Sequence, residues 1–283
     1  MAATDRTKGS PGTRLHPLGL NTLESLPKNE PAMNENPTAA LGQAKAAAAA
    51  VAGTPQYSQF VEAVRKIYPW RFERLASQVL ERDYLRIVDH HLNHLGPLLV
   101  PCIDPSVRRV LDFGCGSGGS AIAVALIYPD VHCYGTDIDE NEILMARERA
   151  RLYNVADRCE FQHVVAGEPL PFAEGVFDFC LCSSVIEYAT ETAIRTFCVR
   201  EMVRLVAERG LLFFSVPNRL YPYEIHSGKW GWNYFPRLLG ARTIDSSFWE
   251  VRRLARPDLL KLYRTPIAQL FRPWSNFCVR KNG

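Results

Sequence analysis

The sequence has no long hydrophobic run. Its longest stretch of small or apolar residues is Phe113–Pro129, which includes four glycines and two serines, whereas a membrane-spanning helix needs about 20 apolar residues. We therefore expect no transmembrane helix. Charge of one sign is lacking too, because 33 basic residues stand against 30 acidic ones and leave a formal net charge of +3. No run of Lys and Arg stands out, so the charge pattern gives no reason to expect a nucleic-acid partner.

The eight cysteines match neither a disulfide framework nor a zinc pattern. Their one close pair, Cys180 and Cys182, lies in an apolar run. Alternate residues of a strand share a face, so a strand explains this spacing, and a zinc site would need a second pair. We expect no signal peptide and reduced, mostly buried thiols in a cytoplasmic protein.

Residues 1–55 differ in composition from the rest of the chain. They are poor in aromatic residues, have no sustained apolar period and are punctuated by prolines. Such a segment cannot bury enough surface to offset its conformational entropy. The Ala-rich piece at 44–53 favours a helix by propensity, which alone rarely holds a short helix in water. Acids such as Asp5 and Glu24 disfavour the alternative of a mitochondrial transit peptide. We expect a disordered tail.

Residues 56–283 have the pattern of one folded domain. Apolar residues recur every three or four positions over 56–97, which predicts a pair of amphipathic helices broken at Pro69. Strands and helices alternate over 107–216, which predicts an α/β fold with a mostly parallel sheet and helices on both faces. Residues 217–283 contain a long aromatic loop and a C-terminal part. Its stretch at 246–263 reads as helical, so we find no clear sixth strand there.

The most informative stretch is Val110–Ser120. An apolar strand runs into closely spaced glycines, and a helix begins directly after them. Glycines let the chain turn tightly and let a ligand approach backbone amides at a helix N-terminus. Gly114–Gly119 fits the GxGxxG pattern of a dinucleotide site, with Asp137 about twenty residues on to hold a ribose. Asp112–Gly118 fits DxGxGxG equally well, so the glycine spacing leaves both alternatives open.

The carboxylate of Asp112 favours one alternative. A dianionic pyrophosphate would face it unfavourably, whereas a ligand with an ammonium group would be stabilised by it. S-adenosylmethionine carries an ammonium group, a cationic sulfonium and no phosphate. Asp137, at the end of the second predicted strand, would accept hydrogen bonds from its two ribose hydroxyls. We therefore expect S-adenosylmethionine as the cofactor, with an NAD-dependent oxidoreductase as the alternative.

Residues 107–216 resemble the class I S-adenosylmethionine-dependent methyltransferases of the small-molecule type. VLDFGCGSGG resembles the first motif of that family, YGTDID the second, LPFAEGVFDFCLCSSVIEY the segment around its fourth strand, and GLLFFSVPN its fifth strand. The four motifs occur in the family's order. The resemblance implies a Rossmann-like sheet of about seven strands with an antiparallel last strand, for which 274–281 is the candidate.

The same resemblance implies a set of cofactor-binding residues. The methionine end would be lined by residues of the glycine turn: Asp112, Gly114, Cys115, Gly116 and Gly118. Asp137 would hold the ribose, Ile138 would pack on the adenine, and Ser183 would lie near the sulfonium. Many relatives have an acid after the third strand that accepts a hydrogen bond from the adenine. Ala166 occupies that position here, so either Glu168, two places along, substitutes for the acid or the adenine is held by backbone atoms and packing.

Methyl transfer from a sulfonium mainly requires that the acceptor be held close and in line, so the family has no fixed catalytic residue. A hydroxyl acceptor also needs a base. The candidates are Glu187 and Tyr188 after the fourth strand and His226 in the long loop, which titrates nearest neutral pH. A histidine hydrogen-bonded within the loop is the alternative role for His226.

We expect a small-molecule substrate and no metal. Aromatic residues from the helix break and the loop are the candidate substrate contacts: Tyr68, Trp70, Tyr221, Trp230 and Trp232. Ordinary packing is their alternative role. His90 and His94 share a helix face, as metal ligands do, but no further motif completes a metal site. A methyltransferase-like domain without catalytic activity is the remaining alternative.

Overall fold

The computed structural model describes residues 36–189, 191–218, 221–224, 229–231, 248–256, 258–264 and 274–283. The strands are β1 Arg109–Phe113, β2 His132–Asp137, β3 Cys159–His163, β4 Phe177–Ser183, β5 Val206–Pro217, β6 Tyr223–Glu224, β7 Lys229–Trp230, β8 Leu260–Arg264 and β9 Trp274–Lys281. The helices are α1 Pro37–Val51, α2 Pro55–Ile67, α3 Pro69–Arg74, α4 Ser77–Leu80, α5 Ile87–His94, α6 Gly96–Leu99, α7 Gly119–Ile127, α8 Glu140–Leu152, α9 Thr192–Leu205 and α10 Phe248–Ala255. A π-helical turn, Glu81–Leu85, follows α4, and a 3-10 turn, Ile186–Tyr188, follows β4.

Seven of the described strands form one sheet in the order β3-β2-β1-β4-β5-β9-β8. Strands β1 to β5 pair in parallel, and β9 runs antiparallel between β5 and β8. Strands β6 and β7 form a separate hairpin. The expected α/β sheet and the antiparallel strand at 274–281 are therefore confirmed. The order starts from β1 and reverses at β4, so β1 and β4 end side by side and leave a crevice at their carboxyl ends.

The C-terminal region corrects one expectation. Helix α10 ends at Ala255, and Leu260–Arg264 forms the strand β8 rather than a continuation of the helix. Strand β8 is at the edge of the sheet, where Leu260 is buried while Leu262 and Tyr263 are exposed. The short run therefore has too few buried residues to show a clean apolar alternation.

The N-terminal expectation was wrong for residues 36–55. Helix α1 begins at Pro37, and the side chain of Asn36 caps it by accepting from the backbone N–H groups of Thr38 and Ala39, each at 3.1 Å. Its small apolar face packs into the core: Ala40, Leu41, Ala44 and Ala48 are buried against α5 and α7. Packing, rather than alanine propensity, therefore holds this helix. Residues 1–35 of the expected tail lie outside the described residues.

The helices at 55–99 are anchored to the glycine turn by Arg149 of α8. This side chain is fully buried, and its guanidinium donates to the backbone carbonyls of Ser117 and Tyr84. Burial lowers the pKa of Arg149 to about 10, so the group remains charged at neutral pH. The π-helical turn that contains Tyr84 is thereby fixed beside the carboxyl ends of the strands.

The burial of the cysteines matches the expectation. All eight cysteines are free of disulfides, seven are buried and Cys198 is half-buried. No helix among the described segments combines the length and apolarity needed to cross a membrane.

Candidate active site

The glycine turn between β1 and α7 is the floor of a cleft. Gly114, Gly116 and Gly118 have φ values of +72°, +50° and +79°, which only glycine adopts readily. The backbone N–H groups of Gly114 and Cys115 donate to the carbonyl of Thr136 at 2.8 and 2.9 Å. The turn is therefore tied to the end of β2.

Asp137, the last residue of β2, forms a further contact between β2 and the glycine turn. Its Oδ2 accepts from the backbone N–H of Gly116 at 2.8 Å, and its Oδ1 accepts from the N–H of Asp139 at 2.9 Å. Asp137 and Gly116 both line the cleft. The carboxylate is thus held in one orientation at the edge of the cavity, with lone pairs left for a ligand that donates hydrogen bonds.

Asp112 differs from the expectation. It is 1% exposed and lies beneath the turn instead of lining the cleft, because its Oδ2 accepts from the Ser120 hydroxyl at 2.5 Å and from the Ala121 N–H at 3.0 Å. Burial raises its pKa to about 7, although these two hydrogen bonds oppose the rise. The observed role of Asp112 is to fix the first turn of α7.

Gly118 also serves packing and does not line the cleft. A Cβ at this position would lie 2.9 Å from Ala146 and from the ring of Phe161. A Cβ at Gly116 would meet no atom within 4 Å. Of the two glycines, Gly116 therefore faces open space in the cleft.

The cleft has a volume of about 860 Å³, which is in the range of small-molecule sites. Most of the expected cofactor residues line it together: Gly114, Cys115, Gly116, Asp137, Ile138, Ala166, Glu168 and Ser183. Ile138 is 63% exposed, so an apolar side chain projects into the cavity opposite the turn of residues 164–168. An exposed isoleucine of this kind offers an apolar surface to a flat ring.

Arg71 is a cleft residue to which the sequence patterns assigned no cofactor contact, and it lies in the short helix α3 after Pro69. It is 6% exposed, and its Nη2 bonds Glu142 Oε1 at 2.6 Å. The guanidinium carbon lies 3.5 Å from the ring centroid of Tyr68 and 4.1 Å from that of Tyr84. Its Nε and Nη1 have no hydrogen-bond partner. A buried cation with free donors therefore lines the cleft.

The expected catalytic residues Tyr188 and Glu187 differ in their position relative to the cleft. Tyr188 lines the cleft and is 67% exposed. Glu187 is 8% exposed and does not line it, and burial raises the pKa of Glu187 to about 7. Neither oxygen of Glu187 has a hydrogen-bond partner. His226 lies outside the described residues.

The expected aromatic contacts are not brought to the cleft. Tyr68 is buried and hydrogen-bonds Glu142 at 3.1 Å, and Trp70 is half-exposed with its ring perpendicular to that of Tyr68. Trp230 is 70% exposed and packs on Tyr223 in the β6–β7 hairpin. Tyr221 is partly buried and is not among the described residues that line the cleft. Trp232 lies outside the described residues.

A second cavity, which we call the polar chamber, adjoins the cleft. Its volume is about 620 Å³, and it shares His90, His91, Ser183 and Ser184 with the cleft. Its other polar lining residues include Ser215 of β5 and Asn276 of β9. Sequence reasoning missed both, because each lies singly in an apolar strand.

Helix α5 supplies the histidines of the chamber. The ring centroids of His90 and His94 are 4.5 Å apart. Among the described residues, no group of three or more His, Cys, Asp and Glu could hold a metal ion. Burial lowers the pKa of His91 to about 3, with the positive charges of His90 and Arg149 adding to the effect. His91 is therefore neutral at physiological pH.

Comparison with known proteins now decides between the cofactor alternatives. A family model described as "Methyltransferase domain" matches residues 110–210. The chain is 26% identical over 194 residues to a ubiquinone biosynthesis O-methyltransferase of Aromatoleum aromaticum, covering 64% of this chain and 80% of that protein. It is 32% identical over 119 residues to ajmaline N-methyltransferase of Rauvolfia serpentina, covering 41% and 39%.

Residues 110–210 therefore match a methyltransferase domain, and the similar proteins support a class I S-adenosylmethionine-dependent methyltransferase. The cofactor of this methyltransferase is S-adenosylmethionine, and the NAD alternative is set aside. Solved structures support the fold. The [4+2]-cyclase SpnF superposes with a TM-score of 0.51 at 17% identity, covering 69% of this chain and 82% of that chain. The PH0226 protein from Pyrococcus horikoshii superposes with a TM-score of 0.51 at 21% identity, covering 69% and 90%.

Proposed function

We propose that this methyltransferase transfers the methyl group of S-adenosylmethionine to a small-molecule acceptor bound beside the cleft. The observation that carries the proposal is the contact between Gly116 and Asp137, because it joins the glycine turn and a fixed carboxylate at the edge of one cavity. The volume of the cleft and the adjoining chamber suit a cofactor and a small acceptor. A nucleic acid is not the proposed acceptor.

The cleft residues fit the parts of the cofactor. The Asp137 carboxylate is oriented to accept from the ribose hydroxyls, and Ile138 offers an apolar face to the adenine. The open space over Gly116 leaves room for the methionine chain. Ala166 and Glu168 lie on the same wall, where they would border the adenine. Bound here, the cofactor supplies an electrophilic methyl group on a leaving group that is already activated.

Arg71 is proposed to hold the cofactor's carboxylate. Among the described residues that line the cleft it is the only Arg or Lys, and the carboxylate is the anionic group of S-adenosylmethionine. The free Nε and Nη1 donors of Arg71 can form charge-assisted hydrogen bonds to that carboxylate. Stacking between Tyr68 and Tyr84 and the bond to Glu142 keep the guanidinium in place.

The binding test is isothermal titration of the wild type with S-adenosylmethionine, S-adenosylhomocysteine and NAD. We expect micromolar binding of the first two and none of NAD. The variant Asp137→Ala should lose most of this affinity, because the charge-assisted contacts to the ribose are removed. The exposed Asp130→Ala, which lies in the turn before β2, is the matched control and should bind as the wild type does. Tight NAD binding, or equal affinity in all three proteins, would contradict the proposal.

The proposed location is the cytoplasm. The eight cysteines support it, since all are free thiols and seven are buried. Redox-sensitive alkylation of the protein in fractionated cells tests this location.

A further inference from the structure

The polar chamber contains a row of polar residues on three neighbouring strands. Ser183 pairs in register with Ser215, and Ser215 pairs in register with Asn276. Residues that pair in register point to the same face of a sheet, and all three line the chamber. The preceding residues on this face, such as Leu181 and Phe213, are buried in the apolar core. The face therefore changes from apolar to hydrogen-bonding at the carboxyl ends of the strands.

His91 lies at the junction of the two cavities, because it lines both the cleft and the chamber. Its ring packs against the start of α7, where a Cβ on Gly119 would lie 2.7 Å from the His91 ring carbon Cδ2. No described residue hydrogen-bonds to its ring nitrogens, in contrast to His163, whose Nε2 contacts the Ile138 carbonyl at 3.1 Å. The imidazole is thus fixed by packing, with its polar atoms left unpaired.

A line of histidines connects this junction to the surface. The ring centroids of His91 and His90 are 5.8 Å apart, and those of His90 and His94 are 4.5 Å apart. His90 and His94 also line a shallow groove on the outside of α5. The three rings therefore lie next to one another between this junction and the groove.

We propose that the polar chamber binds a small hydroxylated aromatic acceptor and that His91 is the catalytic residue that takes its proton. This inference rests on the proposed function. The row Ser183, Ser215 and Asn276 supplies hydrogen bonds to the acceptor's oxygen substituents, and Trp274 and the imidazoles of α5 supply flat surfaces for its ring.

The acceptor oxygen bonds to the methyl carbon as that carbon's bond to the cofactor sulfur breaks, and the bonding electron pair stays on sulfur. The hydroxyl proton passes to a ring nitrogen of His91, which leaves a methyl ether, S-adenosylhomocysteine and an imidazolium. The hydroxyl proton becomes strongly acidic as its oxygen forms a third bond, so a weakly basic imidazole is sufficient to accept it. Burial of the imidazolium and the positive charge of Arg149 then favour release of the proton from His91.

Binding is tested without turnover, by saturation-transfer NMR of phenol with the enzyme–S-adenosylhomocysteine complex. We expect a phenol signal with the wild type and its loss in Asn276→Leu and Ser215→Val, while calorimetry gives an S-adenosylhomocysteine affinity within about twofold of the wild type. His132→Asn, at the opposite end of β2, is the control and should keep both. Failure to bind S-adenosylhomocysteine overturns the proposed function. Binding of S-adenosylhomocysteine with no phenol signal, or with a signal that the chamber variants retain, overturns only the acceptor site.

The role of His91 is tested with phenol and thiophenol, a pair that differs in one atom. His91→Asn should lower kcat for phenol by about 100-fold or more. Thiophenol ionises without help near neutral pH, so its methylation should fall by no more than about fivefold under the same general acid–base argument. A loss of equal size on both substrates would make His91 a packing residue, and no loss on phenol would remove it from the mechanism. Both results overturn the assignment.

Discussion

The backbone N–H of Gly116 donates to Oδ2 of Asp137 at 2.8 Å. This bond joins the turn after β1 to the end of β2, and both residues face the same cleft. The contact places a carboxylate and a glycine with open space above it side by side. Substitutions in this turn should therefore distinguish effects on ligand affinity from effects on the free energy of unfolding.

Two glycines of the turn provide a first prediction. Both Gly116 and Gly118 have positive φ, so alanine at either position is strained by about 1–2 kcal/mol. Gly118→Ala should be destabilised further, because its Cβ would lie 2.9 Å from Ala146 and Phe161. Gly116→Ala should instead weaken S-adenosylhomocysteine binding by about tenfold or more, since its methyl group enters the cleft. Urea unfolding and calorimetry measure the two effects, and equal destabilisation of the two variants would contradict this division.

The proposed role of Arg71 predicts selective loss of affinity. Arg71→Lys keeps the charge and removes the planar pair of donors, so S-adenosylhomocysteine should bind about tenfold more weakly. Methylthioadenosine has the same nucleoside and no amino-acid carboxylate, and its affinity should stay within about twofold by the same arithmetic. Calorimetry with both ligands gives the comparison. A similar weakening of both would mean that Arg71 only shapes the cleft.

Arg149 predicts a stability effect remote from the ligand. Arg149→Met leaves the partly buried carbonyls of Ser117 and Tyr84 without their donors, which should lower the free energy of unfolding by about 2 kcal/mol or more. The control is Arg151→Met, two residues along the same helix, whose ion pair with Glu148 is exposed and should be worth less than about 1 kcal/mol. Urea titrations of both variants test this, and a small loss for Arg149→Met would refute the anchoring role.

Asp112 predicts a dependence of stability on pH. Burial raises the pKa of its carboxyl to about 7 in the folded protein, above the value near 4 of an unfolded chain. Between these two pH values the native state therefore holds a proton that the unfolded state releases. The free energy of unfolding of the wild type is unaffected by this difference below about pH 4 and decreases as the pH rises to about 7. Asp112→Asn cannot ionise, so its stability relative to the wild type should increase over that interval by up to about 4 kcal/mol. Chemical unfolding at pH 4.5 and pH 7.5 measures the difference, and a constant difference would show that the carboxyl ionises normally.

Local patterns explain which parts of the site the sequence predicted. The glycine turn, Asp137, Ile138 and Ser183 all lie at the ends of strands that have clear apolar runs, and parallel strands bring those ends to one edge. The expectation that Asp112 lines the cofactor site differs from the structure, because a motif gives spacing along the chain and not the direction in which a side chain points.

The missed features depend on contacts between distant segments. Ser215 and Asn276 become neighbours only because β9 inserts between β5 and β8. Helix α1 is stabilised by close packing of its small face, where Leu41 approaches Gly96, and neither residue signals this contact alone. Trp70 and Trp230 illustrate the converse, since an aromatic residue near a predicted site need not face it.

A crystal structure of the protein with S-adenosylhomocysteine tests the central claim most directly. We expect the ribose hydroxyls within hydrogen-bond distance of Asp137, the adenine against Ile138, the carboxylate at Arg71 and the sulfur directed toward Ser183 and the polar chamber. A ligand bound elsewhere on the molecule, or one in the cleft that makes no contact with Asp137, would contradict the assignment of this cleft as the methyl-donor site.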